Sequence, residues 1–308
     1  MRPFAFSSRT VDGAEMVVAE DTLIKQELLS RKLASTGDEI LIRHQSQGLF
    51  ALFRADVRRG KEIYRRYIIK QVDSDEMGRL EADGLATLGE AGCRVPTTHG
   101  LIQSRGGSFL IMDFVETGSK RPGQSSFEEN LKSLYSLRRP SYGWKEDNYI
   151  GTLKQKNSFH DRFADFWWQD RILPQAVMAV EKGYLKVSDR KVMESLVFRL
   201  SESWKLDEVG PRLVHGDLWS GNVIVSAEGQ TYFIDPSVAC SHPEQDLAML
   251  QLFGSPLDVD RELFEKLGLP PGTGERVPFF QLYPLLVHVN IFGASYVNGV
   301  KEVLRNYR

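Results

Sequence analysis

The stretch that most constrains this chain is Leu213-Val214-His215-Gly216-Asp217-Leu218-Trp219-Ser220-Gly221-Asn222, followed by Phe233-Ile234-Asp235-Pro236. Gly216-Asp217 favours a turn, and Asn222 stands five residues after Asp217. The runs Val223-Ile224-Val225 and Thr231-Tyr232-Phe233-Ile234 flank Ala227-Glu228-Gly229-Gln230, which is a hairpin pattern. Such a hairpin carries Asn222 in at its start and brings Asp235 out at its end. Asp217, Asn222 and Asp235 would then meet at one mouth. Two carboxylates and an amide are oxygen ligands suited to Mg²⁺, which binds through one or two carboxylates plus substrate phosphates.

Phosphoryl transfer needs a carboxylate that takes the proton of the acceptor hydroxyl, with an Asn and a second Asp holding metal. In the protein-kinase catalytic loop the Asp and Asn are likewise five residues apart. Gly216 stands where that loop carries an arginine, which resembles the small-molecule kinases of the aminoglycoside and choline type. The complete string from His215 to Asn222 resembles the fructosamine (ketosamine) kinase family. Tyr142-Gly143-Trp144, Asp147 to Gly151, Arg171 to Gln175, Asp246 to Met249 before Phe253-Gly254, and the pattern from Leu282-Tyr283 to His288 and Asn290 carry the same resemblance. It covers nearly the whole chain.

That resemblance implies an α+β, two-lobed, protein-kinase-like fold, with a small antiparallel-sheet-plus-helix N-lobe (1–116), a larger, mainly helical C-lobe (117–308), and ATP between them. It implies transfer of phosphate from ATP, with Mg²⁺, to the third-carbon hydroxyl of ketosamines, either free or on glycated protein lysines. By position, Asp217 is the base, and Asn222 and Asp235 are the metal ligands. Lys70 is the phosphate contact and Glu81 its partner. Asp113, Phe114 and Val115 lie in the hinge that would offer backbone groups to adenine, and Gly48 in the loop that would cover the phosphates. Trp219 is the expected floor for the sugar; His215 is read as positioning the loop backbone and is also placed with Trp219 in the substrate set. Two departures stand out. The Gln45–Gly48 loop has one glycine, and Tyr135 stands where a helix-end His is common. A kinase of another alcohol, or a nucleotide-binding relative without activity, is the rival reading.

The residues before the motif read consistently with this. Ala19 to Leu33 has a helical pattern, and Glu39–Ile42, Leu49–Val57 and Tyr64–Val72 read as consecutive strands of an antiparallel meander. Lys70 alternates in phase with Ile68 and Val72. A lone ammonium is costly to bury, so Lys70 must reach an anion or solvent. In a helix over 75–91, Met77, Glu81, Leu85 and Leu88 share one stripe, so an ion pair with Lys70 is one reading. A snorkelling lysine and a half-exposed glutamate are the other. Strands over 99–103 and 108–114 precede a Gly/Pro/Ser-rich stretch to Ser126, which marks the domain boundary. Helices are then expected at Phe127–Leu137, Phe159–Leu185, Val187–Trp204, from Asp246, and from Val277 to Tyr307; Asp246 is read as the N-cap of its helix or as orienting the Asp217 loop, a structural role either way. The polar, aromatic loop from Tyr142 through Asn157 is long for a connector.

At 308 residues with 42% hydrophobic and 26% charged content, a large core is affordable. A net charge of −2 gives no electrostatic case for nucleic acid. Cys93 and Cys240 are too few for a disulfide scaffold, so a reducing, cytoplasmic setting is expected. The apolar region 279–297 is interrupted by Gln281, Pro284, His288 and Asn290, and reads as buried helices rather than a membrane span.

Overall fold

The computed structural model describes residues 12–45, 49–104, 107–118 and 123–307. By backbone contacts the chain divides into two units, 1–78 with 98–114, and 79–97 with 115–308.

The first unit is built on a five-stranded sheet. Helix α1 (Asp12–Ser30) precedes strands β1 (Glu39–Gln45), β2 (Leu52–Arg59) and β3 (Glu62–Val72). Helix α2 (Asp75–Glu90) follows, then β4 (Thr98–Ser104) and β5 (Gly107–Asp113). The order is β1-β2-β3-β5-β4, with every neighbouring pair antiparallel. Strand alternation places Phe53, Ala55, Val57, Tyr67, Ile69, Phe109 and Ile111 in one core with Ile24 and Leu28 of α1. Lys70 pairs with Leu52 and Leu110 and belongs to the opposite face. β1, β3 and β4 run longer than their apolar cores predicted, because the sheet's ladder carries on through polar residues such as Arg43 and Glu62, whereas β2 starts three residues later than expected. Residues 46–48 of the expected phosphate loop, Gly48 included, lie outside the described residues.

From Arg79 onward α2 is grouped with the second unit, for local reasons. Gly84 lies so close to Pro236 that a Cβ there would stand 3.0 Å from its ring. Just after α2, Arg94 N donates to Asn130 Oδ1 (2.9 Å) and Phe233 N to Arg94 O (2.9 Å). The unit continues with α3 (Gln124–Ser136) and the short hairpin β6 (Asn148–Ile150) and β7 (Leu153–Gln155), which takes up part of the expected long loop.

Where one helix was predicted over 159–185, the chain forms α4 (Phe163–Phe166), a π-helical turn over Trp167–Ile172, and α5 (Leu173–Glu181). Hydrophobic periodicity does not distinguish an α turn from a π turn, and π turns recur at functional positions. Here the turn carries Arg171, which is fully buried. Then come α6 (Val187–Ser203), β8 (Arg212–Val214), β9 (Val223–Val225), β10 (Thr231–Phe233) and β11 (Ala239–Ser241). Helices α7 (Glu244–Phe253), α8 (Arg261–Lys266), α9 (Thr273–Phe292) and α10 (Val297–Asn306) close the chain. A core of Phe163, Trp167, Phe279, Phe280 and Tyr283 rings joins α4, the π turn and α9. Among the described residues no helix is long and apolar enough to cross a membrane. The expected α+β class is observed, with an antiparallel sheet in the N-terminal part and mainly helix in the C-terminal part.

Candidate active site

Two short strand pairs deliver the motif. β8 pairs with β11 through Leu213–Cys240 and Val214–Ala239, so His215, Gly216 and Asp217 leave the end of a held strand. β9 and β10 pair through Val223–Phe233, and Ile234 N donates to Asn222 O at 3.1 Å. Asn222 and Asp235 therefore flank the same end of the hairpin, as its turn chemistry required. Asn222 Nδ2 donates to Asp217 O (2.7 Å) and Asp217 Oδ2 (3.0 Å). One amide thus fixes both the backbone and the carboxylate of Asp217. With its NH₂ group committed, the amide turns Oδ1 away from Asp217.

The loop is held from beneath by Asp246. This residue is not the N-cap of α7, which starts two residues earlier. Its carboxylate accepts His215 N (2.8 Å), Gly216 N (2.9 Å) and the Tyr135 hydroxyl (3.3 Å). Burial pushes its pKa up to about 6, against the three donors that favour the ionised form. Tyr135, the apparent departure in α3, is thus part of the support for the loop.

His215 does not fit the substrate set. Its ring is fully buried, Asp217 N donates to Nδ1 (3.3 Å), and Nε2–H donates to Ile234 O (2.9 Å). Burial holds its pKa down to about 4. A neutral imidazole spanning the loop and the end of β10 is a positioning device, and it has no surface left for a sugar.

Gly216 has φ +85, and a Cβ there would lie 2.0 Å from Ser237 O. Ser237 N in turn donates to His215 O at 2.8 Å. The loop and the segment after Asp235 are therefore in contact along their backbones, closer than any side chain allows. Asp235 itself has φ +54, a left-handed conformation that costs a non-glycine residue about 1–2 kcal/mol but is tolerated best by Asp and Asn. Such strain is found where surrounding structure enforces it.

Just after Asp235 a buried polar chain holds Ser237 and Val238, and sequence reading gave its members no individual role. Gln155 Nε2 donates to Ser237 O (3.1 Å) and Asn148 Oδ1 (2.8 Å), and Asn148 Nδ2 to Val238 O (2.9 Å). Tyr283 O–H donates to Gln155 Oε1 (2.7 Å), and Arg171 Nη2 to Asn157 Oδ1 (2.9 Å), whose Nδ2 reaches Asn148 Oδ1 (3.0 Å). The signal available was a polar loop with Gln155 and Asn157 followed by apolar helices. Nothing in it named Ser237 and Val238 as partners.

The ring of Trp219 lies against Gly221, where a Cβ would fall 2.3 Å from it, and the residue is 37% exposed. It is not a core tryptophan. In the first unit, Lys70 is 5% exposed with Nζ 5.0 Å from the centre of the Phe50 ring. Glu81 is half-buried in α2, and the contact division puts the two residues in different units. In the segment expected as the hinge, Phe114 N donates to Arg66 O (3.2 Å), so that N–H is already engaged. Asp113 Oδ1 is engaged by His99 (2.7 Å), and Val115 is half-buried.

Among the described residues no group of three or more His, Cys, Asp or Glu side chains could hold a metal. Asn222 and Asp235, at one end of the hairpin, are oxygen donors of the type that a hard ion takes when phosphate and water complete its shell.

A family model described as fructosamine kinase matches residues 57–308. A protein of Enterococcus faecium named as a ketoamine kinase is 38% identical over 253 residues, 80% of this chain and 89% of the relative. A crystal structure from Thermobifida fusca, described as a fructosamine-3-kinase, superposes with a TM-score of 0.76 at 31% identity, covering 88% of this chain and 95% of the other. An aminoglycoside phosphotransferase in ternary complex with AMP-PNP and hygromycin B shares the fold (TM-score 0.58, 14% identity, 87% and 94% covered).

Proposed function

The chain belongs to the fructosamine kinase family, and on that premise we propose that it transfers the γ-phosphoryl group of ATP to the third-carbon hydroxyl of ketosamines. The observation that carries this reading is the Asp217 loop: a half-buried carboxylate clamped by Asn222, with a partly exposed Trp219 two residues on. As the bond between the substrate oxygen and phosphorus forms and ADP departs, Asp217 takes the hydroxyl proton. Positioned general bases contribute about 10²–10⁴-fold. Asn222 Oδ1 and the Asp235 carboxylate would hold Mg²⁺, whose charge offsets that of the phosphates when bound. Lys70 is assigned to phosphate, as the family resemblance implies. An indole face matches the C–H face of a sugar chain, which supports Trp219 as the substrate floor.

Cys93 and Cys240 are both free and buried, with thiol pKa values pushed up to about 12 and about 11 by burial. Inert thiols of this kind support a cytoplasmic setting. The deciding measurement is Mg-ATP turnover with ribulose-lysine, fructose-lysine, an aminoglycoside and choline in parallel. Ketosamines should lead in kcat/KM; a lead for the aminoglycoside or choline would replace this reading with that of another hydroxyl kinase.

A further inference from the structure

One residue beyond Trp219 the chain is tied to an aromatic cluster that the phosphoryl-transfer chemistry leaves unused. Ser220 N donates to Gly254 O (2.8 Å) and Ser220 Oγ to Phe253 O (3.4 Å). A Cβ at Gly254, φ +98, would stand 3.2 Å from Ser220 Oγ. The residue after Trp219 is thereby clipped to the turn that ends α7.

From this turn four rings run outward. Phe253 stacks on His288 at 4.1 Å between centroids and 21° between planes. His288 lies 4.9 Å from Tyr296 and 5.3 Å from Phe292, and Phe292 lies 6.1 Å from Tyr296. Phe292, at the outer end, is 51% exposed. A cluster that served only as core would not present its terminal phenylalanine to water.

The polar chemistry of the cluster is that of a cation acceptor. His288 Nδ1–H donates to Pro284 O (2.8 Å), which leaves Nε2 as a lone-pair acceptor to which no described residue donates. Burial lowers the pKa of the His288 ring below the usual imidazole value. Phe292 is the last residue of the 20-residue helix α9, whose C-terminus is the negative end of its dipole. That end already takes one ammonium, Lys182 Nζ on Asn290 O at 2.7 Å. Ring faces, an imidazole acceptor and a helix C-terminus together attract an alkylammonium group.

We infer that the Phe253–His288–Phe292–Tyr296 surface is a subsite for the amine-bearing arm of the acceptor, that is, the protonated secondary amine and the alkyl chain it joins to the sugar. The inference rests on the ketosamine reading and adds to it. Trp219 takes the sugar, His288 Nε2 accepts from the amine, and Phe292 and Tyr296 cover the chain. A glycated lysine is thereby distinguished from a sugar carrying a bare amino group.

The test compares kcat/KM for fructose-ε-lysine with that for 1-amino-1-deoxyfructose, using the full chain and Mg-ATP. Wild type should favour the lysine adduct by about tenfold, the value of covering part of a four-carbon chain. Phe292→Ala should remove most of that preference. Phe292→Leu, which keeps apolar contact and loses the ring, should retain an intermediate preference of about threefold. Equal losses on both substrates, or an intact preference in Phe292→Ala, would overturn the subsite while leaving the kinase assignment standing. A wild-type chain that phosphorylates neither ketosamine removes the reading beneath it, and the subsite with it.

Discussion

Replacing Gly216 by alanine probes the contact on which the proposed catalytic geometry depends. The new methyl would be placed 2.0 Å from Ser237 O and 2.8 Å from Ser237 C, both backbone atoms that cannot rotate away. Cβ contacts shorter than 3.0 Å are not sustained, so loop and segment must part by about 1 Å. A 1 Å misplacement of a reacting group costs about 10²-fold in rate. The opening also strains Ser237 N→His215 O (2.8 Å) and Gly216 N→Asp246 Oδ1 (2.9 Å). Losing one such bond costs about 1 kcal/mol. The left-handed φ of +85 adds about 1–2 kcal/mol for any residue with a Cβ. The stability loss is then about 2–3 kcal/mol, a fall in melting temperature of about 5 °C at this chain length. The variant should be folded at 25 °C, bind ATP, and turn over a ketosamine about 10²-fold more slowly. Calorimetric melting and initial-rate assays on the same preparation measure both effects. A kcat within twofold of wild type, with an unchanged melting temperature, would show that the backbones of Gly216 and Ser237 do not set the position of Asp217.

Four further outcomes are expected. Asp217→Asn should lose about 10²–10⁴-fold in kcat while ATP binding, followed by calorimetry, survives; near-normal turnover would remove Asp217 as the base. Asp235→Asn keeps a residue that tolerates φ +54 but loses the charge, so Mg-ATP should bind much more weakly and metal-free ATP little differently; equal losses would take Asp235 out of the metal site. Trp219→Ala should raise the ketosamine KM by roughly tenfold with little change in melting temperature, since the ring is partly exposed; a core role predicts about 3–5 kcal/mol of lost stability instead. Asp246 has a folded pKa pushed up to about 6 from 3.8, so the folded chain binds the extra proton between those values and this group's contribution to stability falls as pH rises through them. Activity should move the other way, because the ionised carboxylate is the form that accepts both loop N–H groups: kcat should rise with pH through about 6, and Asp246→Asn should lower the plateau and abolish that limb.

What could be read from the sequence was what is local along the chain. The five-residue spacing of Asp217 and Asn222, and the hairpin returning Asp235 to the same end, follow from turn chemistry and strand length within about twenty residues. Lys70 fell on a definable sheet face for the same reason, since side chains alternate with period two. The supports of the site were legible only as possible roles for His215 and Asp246, and their partners were not, because most are hydrogen bonds between residues far apart in sequence. Asp246 reaches back 30 and 31 residues to Gly216 and His215, and Gln155 reaches 82 residues forward to Ser237. A polar residue in a sequence states that it needs a partner once buried, without saying which one. For His215 the motif allowed both a brace of the loop backbone and a substrate contact, and its burial against Ile234 O and Asp217 N selects the brace. The same holds for Phe253, His288, Phe292 and Tyr296, which are scattered apolar positions in the sequence. The packing of α9 against α7 and the turn at Gly293 made them one cluster, because a long-range contact is decided by how helices meet and not by the residues between them.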